Sequence, residues 1–322
     1  MESPFFSIIV PTYQRPTSLA NCLAALSRLD YPRNLFEVII VNDGDRTLSP
    51  TLIAPYQPHL NIHLLFQTNA GPASARNTGA RHAQGDFLAF TDDDCTVAPD
   101  WLSQLACAWQ NHTSPQPKAL GGLTLNALPN NLYAAASQLH SDAVCAYFNR
   151  DCQAATFFAS CNFSVSRRTY WHVGGFDERF PIAAGEDRAF CDRWLQQGYA
   201  MTYLPAARVH HAHHLALTSF LKQHFNYGRG AFFFHQSRQK AIEQAIAAPV
   251  KTDLKFYWHL ITYPLHPSAQ NKISTARALH LCALFIACNL AKTLGFYWER
   301  SKDRFSTKAQ NRFATERPDP VP

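Results

Sequence analysis

The stretch Phe87–Val97, FLAFTDDDCTV, contains four mostly apolar residues that lead into three adjacent aspartates, Asp92, Asp93 and Asp94. A short apolar run of this kind predicts a buried strand. Side-by-side carboxylates repel one another unless they are solvated or a cation binds among them. Acidic residues directly after such a strand lie at the carboxyl edge of the sheet, where open α/β sheets bind ligands. The stretch therefore predicts either a cation site or a solvated turn, and its spacing alone favours neither.

Similar apolar runs occur along the first two thirds of the chain, and helical patterns separate them. The first three runs are Phe5–Tyr13, Phe36–Asp45 and Asn61–Gln67, and later strands are predicted near 118–127, 156–167 and 200–211. Helices are predicted from 16, 72 and 101, and then over 132–148, 186–197 and about 217–239. This alternation predicts an α/β fold with a mainly parallel central sheet that helices cover on both faces.

The composition restricts the partners and the compartment. Of 322 residues, 47% are apolar, which is enough for a sizeable core, and the net charge of +6 suits an anionic partner such as nucleotide phosphates or a membrane surface. No basic run is interleaved with aromatic residues, so nucleic acid is the disfavoured partner class. The nine cysteines form no CxxC pair and no signal peptide is recognised, which predicts reduced thiols and a cytoplasmic location.

Polar side chains also follow two other predicted strands. Thr12 follows the first strand and Asp43 follows the second, so both are expected at the same edge as Asp92 and Asp94. Three strand ends with polar groups predict a nucleotide-sized pocket. Carboxylates there can bind Mg²⁺ or Mn²⁺, which in turn bind phosphate oxygens. Arg76, in the helix after the third strand, either lies over this pocket or is a surface arginine.

Six successive motifs resemble those of the family 2 glycosyltransferases, which have a GT-A fold. They cover about Ser7–His211 in the family's order: SIIVPTYQRPTSL at 7–19, VIIVNDGD at 38–45, NAGPASARNTG at 69–79, FLAFTDDDC at 87–95, GGFDERF at 174–180 and GEDRAFCDRWLQQGY at 185–199. The resemblance implies an inverting enzyme that moves a sugar from a nucleotide-diphosphate donor, with UDP-sugars favoured, to a hydroxyl of a glycan or lipid-linked acceptor. It also implies a divalent metal, Mn²⁺ or Mg²⁺, and a role in cell-envelope polysaccharide synthesis.

The resemblance assigns roles to the residues at the strand ends. Thr12 and Asp43 match positions that contact the nucleoside, Asp43 through the base. Asp92 and Asp94 match the DxD motif, with Asp92 near the ribose and the metal and Asp94 on the metal. Asp93 fills the middle position of that motif beside the donor.

Motif residues further along the chain are expected on the acceptor side. Asp187 matches the catalytic base and Glu186 is its competitor, although acids at a helix start commonly only stabilise the helix. Asn162, within ASCNFSVSRR at 159–168, matches the strand that lines the acceptor site. Cys95 departs from the family pattern, because many members carry another acid there, and this leaves the metal affinity open.

The stretch VHHAHH at 209–214 contains four histidines in five positions. In the resembling enzymes a histidine just after the late strand approaches the metal, and His211 fits that position best, with His210 second. A separate zinc site is disfavoured, because no second ligand group has matching spacing in the sequence.

The C-terminal third predicts helices outside the catalytic region. Ala278–Ala291 is apolar on every side of a helix, and its extension to Trp298 encloses Lys292. Fourteen residues are too short to span a bilayer, so the segment is either a core helix or an interfacial membrane anchor. We therefore expect a catalytic domain over 1–215 (donor half about 1–97, acceptor half about 98–215), a helical extension over 216–305, and a disordered tail over 306–322.

Three other functions fit the sequence less well than transfer of a sugar. A nucleotidyltransferase is disfavoured, because PTYQRPTSL after the first strand has no glycine for a phosphate loop. A non-catalytic nucleotide-sugar-binding protein is disfavoured by the intact GED and DxD sequences. A metal-dependent phosphohydrolase is disfavoured, because the histidines do not pair with acids at metal-site spacing.

Overall fold

The computed structural model describes residues 3–44, 50–180, 182–243, 254–263 and 275–315. Its strands are β1 (Phe6–Thr12), β2 (Phe36–Asp43), β3 (Ile62–Gln67), β4 (Phe87–Phe90), β5 (Cys95–Val97), β6 (Lys118–Asn126), β7 (Phe163–Ser166) and β8 (Ala200–His211). Its helices are α1 (Pro16–Leu26), α2 (Pro72–His82), α3 (Trp101–Gln110), α4 (Leu132–Phe148), α5 (Arg167–His172), α6 (Glu186–Gln196), α7 (Leu217–Glu243), α8 (Leu254–Thr262) and α9 (Thr275–Thr315).

The eight strands form one sheet in the order β3-β2-β1-β4-β7-β6-β8-β5. Strands β3, β2, β1 and β4 are parallel, whereas β7 is antiparallel to both β4 and β6, and β5 is antiparallel to β8. Strand β6 is parallel to β8, so the sheet is mixed, with four parallel pairings and three antiparallel ones. A parallel neighbour needs a crossover of a dozen or more residues, and β5 begins only a few residues after β4 and pairs with β8 instead.

The register of the parallel strands places their carboxyl ends together. Phe6 is paired with both Phe36 and Phe87, and Thr12 is paired with Asn42. Since β4 ends at Phe90, the aspartates that follow it emerge beside Thr12. This edge of the sheet holds the candidate site.

Helices cover both faces of the sheet, which explains why its strands are continuous apolar runs. Side chains alternate along a strand, so Ile8 packs with α1 and α3 on one face and Ile9 packs with α2 and α6 on the other. Each face contains a large buried indole, Trp101 on the first and Trp194 on the second.

Helix α9 packs against α7, and glycines allow the two backbones to approach closely. A Cβ added at Gly228 or at Gly295 would overlap a backbone carbonyl of the other helix. Helix α9 is longer than the segment predicted at 278–298 and includes 306–315, while the disordered tail over 306–322 stays a prediction. Ala, Lys, Gln and Arg there are good helix formers, and residues 316–322 lie outside the described part of the chain.

Candidate functional site

Three predicted metal ligands meet at the carboxyl edge of the sheet. Ligand atoms of Asp92, Asp94 and His211 all lie within 4.8 Å of one another, and Asp94 Oδ1 lies 2.9 Å from His211 Nε2. The antiparallel ladder of β5 and β8 brings them together, because it pairs Cys95 with His211 directly after the aspartates. Two carboxylates and one imidazole are a donor set that suits Mn²⁺, so these residues fit the implied metal.

The charges in this cluster stabilise one another. Burial alone would raise the pKa of Asp94 and lower that of His211. Their mutual attraction outweighs burial, so the pKa of Asp94 is lowered and the pKa of His211 is raised well above its ordinary value. In the absence of a cation, the imidazolium compensates the carboxylate.

Arg15 also binds these aspartates, and the sequence interpretation missed it. Its Nη1 lies 2.6 Å from Asp94 Oδ2 and its Nη2 lies 3.2 Å from Asp93 Oδ1. The side chain is 51% exposed. The available signal was its position three residues after Thr12, in the loop that leaves β1 at the same edge.

Asp93 and Thr12 lie beneath the surface of the site. The Asp93 side chain is fully buried and accepts a hydrogen bond of 2.7 Å from Thr12 Oγ1. Burial raises the pKa of Asp93 to about 7, against the opposing effect of Arg15. Thr12 and Asp93, both predicted to contact the donor, are therefore hydrogen-bonded to each other. Asp93 contacts Thr12 and Arg15 from below and orients both side chains.

Asp43 holds the loop between β3 and α2. Its carboxylate accepts hydrogen bonds of 2.8 Å from Gln67 Nε2 and from the backbone N–H groups of Ala70 and Gly71. Gly71 has φ 89°, a conformation that favours glycine. Asp43 therefore fixes the start of α2 at the edge of the site.

Arg76 links the donor motif to the acidic motif before α6. Only 4% of its side chain is exposed, so the alternative of a surface arginine is wrong. Its Nη2 lies 2.7 Å from Asp92 Oδ1 and its Nη1 lies 3.0 Å from Glu186 Oε1. The guanidinium also lies 5.5 Å from the centre of the Phe176 ring. One buried cation thus joins two carboxylates that are far apart in the sequence.

Glu186 and Asp187 have different surroundings, although both begin α6 after Gly185. Glu186 is paired with Arg76. The Asp187 carboxylate accepts a 2.7 Å hydrogen bond from the backbone N–H of Arg188. Burial, and then the neighbouring charge of Glu186, raise the pKa of Asp187 to about 7. A carboxylate with that pKa is a stronger base than an ordinary aspartate.

Asn162 was expected to line the acceptor site, and its hydrogen bonds indicate a different role. Its Nδ2 donates to the carbonyls of Leu123 and Ala207, and its Oδ1 accepts from Trp101 Nε1 at 2.9 Å. The residue is 2% exposed. Because both its donors and its acceptor are used inside the core, Asn162 ties β6, β8 and α3 together.

Comparisons with protein-family models match two parts of the chain. Residues 7–116 match glycosyl transferase family 2, and residues 139–215 match the N-terminal domain of galactosyltransferase. These matches contain the strand ends and the start of α6, which are the two parts of the candidate site.

Curated relatives are similar over the same region. A validoxylamine A glucosyltransferase from Streptomyces hygroscopicus is 29% identical over 230 residues, which are 62% of this chain and 53% of that protein. The pre-mycofactocin glycosyltransferase of Mycobacterium tuberculosis is 27% identical over 233 residues, which are 70% of this chain and 46% of that protein. This chain thus spans about half the length of these relatives.

Solved structures share the fold. The mannosyltransferase PcManGT from Pyrobaculum calidifontis, in complex with GDP-Man and Mn²⁺, has a TM-score of 0.62 at 20% identity, covering 93% of this chain and 88% of that one. GalNAc-T7 with UDP, GalNAc and Mn²⁺ has a TM-score of 0.53 at 16% identity, covering 80% of this chain and 55% of that one.

Proposed function

We propose that this chain, which matches glycosyl transferase family 2 over residues 7–116, transfers a sugar from a nucleotide-diphosphate donor to a hydroxyl of a glycan or lipid-linked acceptor, with inversion at the anomeric carbon. The observation that carries this proposal is Arg76, which joins Asp92 of the DxD motif to Glu186 beside the candidate base Asp187. Donor and acceptor motifs that lie far apart in the sequence therefore form one site.

The donor half of the site is assigned to the strand ends. Asp92, Asp94 and His211 would hold a divalent cation, which neutralises the diphosphate when bound. Thr12 and Asp43 lie where the nucleoside would be bound in this assignment. We propose a UDP-sugar as the donor, and the related complexes with UDP and with GDP-Man make both bases worth testing.

Arg15 is suited to bind the donor diphosphate. Its guanidinium reaches the aspartates from a half-exposed position, and a cation on Asp94 would release it from that carboxylate. Arginine binds phosphate oxygens with two donors in one plane. In this proposal Arg15 stabilises the negative charge that develops on the leaving group.

Asp187 is assigned as the general base. The acceptor hydroxyl oxygen forms a bond to the anomeric carbon while the bond to the diphosphate breaks, and the hydroxyl proton passes to the Asp187 carboxylate. Glu186 is held by Arg76 and therefore positions the motif. We assign the base to Asp187 rather than to Glu186, because Glu186 is paired with Arg76.

A second part of the proposal concerns the membrane, and it rests on helix α9. Within the described residues, Leu279–Asp303 is long and apolar enough by length and composition to cross a membrane, with a mean hydropathy of 1.5, but a core helix passes the same test. The structure divides this helix into two faces. Its buried face packs into the protein through Leu281, Phe285 and Cys288, and Lys292 Nζ hydrogen-bonds to His140 on that side.

The other face of α9 is apolar and exposed. We define the α9 apolar face by six side chains that are each more than half exposed: Leu279, Ile286, Leu290, Leu294, Tyr297 and Trp298. At its end Arg300 lies over the Tyr297 ring and Lys302 over the Trp298 ring. Aromatic and basic residues beside an apolar stripe suit an anionic lipid surface.

We therefore place α9 in the plane of the membrane interface, at the cytoplasmic face, rather than across the bilayer. A helix with one face packed on its own protein has only the opposite face to offer to lipid. Helix α7 packs both on α9 and on the start of α6, since Gly230 approaches Ala184 and Gly185 closely. In this proposal a lipid-linked acceptor would approach Asp187 from the side of the domain that carries α7 and α9. We also propose a catalytic domain over 1–215, which contains the candidate site, and a helical extension over 216–305, which contains α7 and most of α9.

The proposed donor class can be tested by thermal unfolding of the purified chain with UDP-, GDP- and dTDP-sugars, with and without Mn²⁺. A ligand that binds the folded state raises the melting temperature by an amount that grows with the ratio of its concentration to its Kd. We expect a UDP-sugar to raise the melting temperature only when Mn²⁺ is present. A separate assay should then detect UDP that is released from that donor. If no nucleotide sugar shifts the melting temperature in the presence of Mn²⁺, the proposed function is wrong.

A further inference from the structure

Two buried thiols lie beside the proposed donor metal site. The Sγ atoms of Cys95 and Cys161 and a ring nitrogen of His211 all lie within 4.8 Å of one another. Both cysteines are free thiols, at 0% and 4% exposure. His211 also contacts Asp94, so the cluster adjoins the candidate donor site.

The fold assembles this cluster from three separate segments. Cys95 begins β5 and is paired with His211 of β8. Cys161 lies in the short 3-10 turn Ser160–Asn162 that leads into β7, and its Sγ lies 3.7 Å from Thr124 Oγ1 on β6. The neighbouring Asn162 fixes that turn to the backbone of β6 and β8.

The ligand chemistry of the cluster differs from that of the aspartate site. Two thiolates and one imidazole are a soft donor set, which zinc binds in tetrahedral geometry, whereas Mg²⁺ and Mn²⁺ favour oxygen ligands. A fourth ligand is at hand, because Asp94 Oδ1 lies 4.0 Å from Cys95 Sγ and 2.9 Å from His211 Nε2.

We propose that Cys95, Cys161 and His211 form a second metal site, which takes Zn²⁺ with Asp94 as the fourth ligand. Binding releases one proton from each thiol and one from the His211 imidazolium, and it involves no change of oxidation state. The sequence disfavoured a separate zinc site because no second ligand group has matching spacing. In the structure Cys95 and Cys161 supply that group, although 66 positions separate them in the chain.

The site has a regulatory consequence that rests on the proposed function. His211 and Asp94 belong to both donor sets, so Zn²⁺ on the thiols and Mn²⁺ on the aspartates exclude each other. Zinc would therefore inhibit a Mn²⁺-dependent transfer, and it would do so through the two cysteines.

The zinc site itself can be tested without any assay of transfer. The probe is Co²⁺, which replaces zinc in such sites and gives an intense thiolate-to-cobalt absorption band that oxygen and nitrogen ligands do not give. We expect the reduced chain to show this band with about one equivalent of Co²⁺, and Zn²⁺ to abolish it. Cys95→Ser and Cys161→Ser should each lose most of the band, whereas the exposed-thiol control Cys107→Ser should keep it.

Two further variants keep the outcome decisive. Asp92→Asn removes a ligand of the aspartate site only, so it should keep the cobalt band while it weakens Mn²⁺-dependent donor binding. Circular dichroism and the melting temperature show whether each serine variant is folded, and Cys161→Ala replaces Cys161→Ser if the buried hydroxyl destabilises the chain.

Absence of the band in the parent chain, or an unchanged band in a folded Cys161 variant, would overturn the zinc site and leave the proposed function standing. If the parent chain shows the cobalt band but binds no nucleotide sugar, the zinc site is supported and the proposed function is wrong.

Discussion

Arg76 Nη1 lies 3.0 Å from Glu186 Oε1, although 110 residues separate the two in the sequence. The same guanidinium binds Asp92. One buried cation therefore holds the first aspartate of the DxD motif and the acid beside the candidate base at a fixed separation. The two halves of the site are connected through this side chain.

The first prediction concerns that connection. Arg76→Met removes the cation and leaves Glu186 buried without a partner, which should lower the free energy of unfolding by about 3–5 kcal/mol. Urea denaturation measures the change. The double variant Arg76→Met/Glu186→Gln should recover part of the loss, because it removes the unpaired charge. An additive result for the two substitutions would show that the pair is not coupled.

The second prediction assigns the base. Asp187→Asn keeps the shape of the side chain and removes the proton acceptor, so turnover should fall by about 10²-fold or more with donor binding nearly unchanged. Steady-state kinetics and donor titration measure the two quantities. Glu186→Gln should be milder in turnover, since Arg76 keeps its contact with Asp92. Near-parental turnover in Asp187→Asn would place the base elsewhere.

The third prediction is a pH dependence of Asp187. Its pKa is raised to about 7, and the base must be ionised, so kcat/KM should rise as the pH increases through about 7 and then reach a plateau. The same shift has the opposite effect on stability. A carboxyl whose folded-state pKa is raised binds its proton more tightly in the native state, so stability falls as the pH rises from the ordinary aspartate value towards 7.

The loss of stability with rising pH can be measured with the Asp187→Asn variant. Asp187→Asn should melt at a higher temperature than the parent at pH 8, by about 2 °C or more, and the difference should shrink at pH 4 to 5. A variant that loses both turnover and stability at pH 8 would contradict the raised pKa.

The fourth prediction concerns the donor metal site. Asp94→Ala removes the carboxylate that contacts both His211 and Arg15, so Mn²⁺-dependent binding of a nucleotide sugar should be lost while the chain stays folded. Isothermal titration calorimetry with Mn²⁺ and UDP-sugar tests binding, and circular dichroism tests folding. Asp151→Ala, at an exposed aspartate in a loop, is the matched control. Parental affinity in Asp94→Ala would remove this residue from the site.

The fifth prediction concerns the α9 apolar face. The double variant Ile286→Glu/Leu294→Glu places two charges on exposed positions, so the buried side of the helix is unchanged. Sedimentation with vesicles that contain anionic lipid should show at least a tenfold loss of bound protein, because each charge opposes burial in the interface. Leu217→Glu, at an exposed leucine on α7, should bind as the parent does. Equal sedimentation of the double variant and the parent would contradict the membrane contact.

The sequence by itself predicted seven of the eight strands of the described residues, all except β5, and it predicted where polar groups leave the sheet. Apolar runs such as Phe36–Asp43 identify buried strands, and parallel strands have their carboxyl ends at one edge. For that reason Asp92 and Asp94 could be placed together before the structure was known. The resemblance to a known family added His211, at the end of a late strand, and assigned the roles.

The tertiary structure alone decided which side chains meet. The pairing of Arg76 with Glu186 and the use of Asn162 as a core residue depend on contacts across the sheet that no local pattern encodes. The cluster of Cys95, Cys161 and His211 arises because β5 pairs with β8 while the turn before β7 lies beside both. Local patterns are set by the periodicity of short segments, whereas these contacts are set by the packing of segments that are distant in the chain, and only folding brings those together.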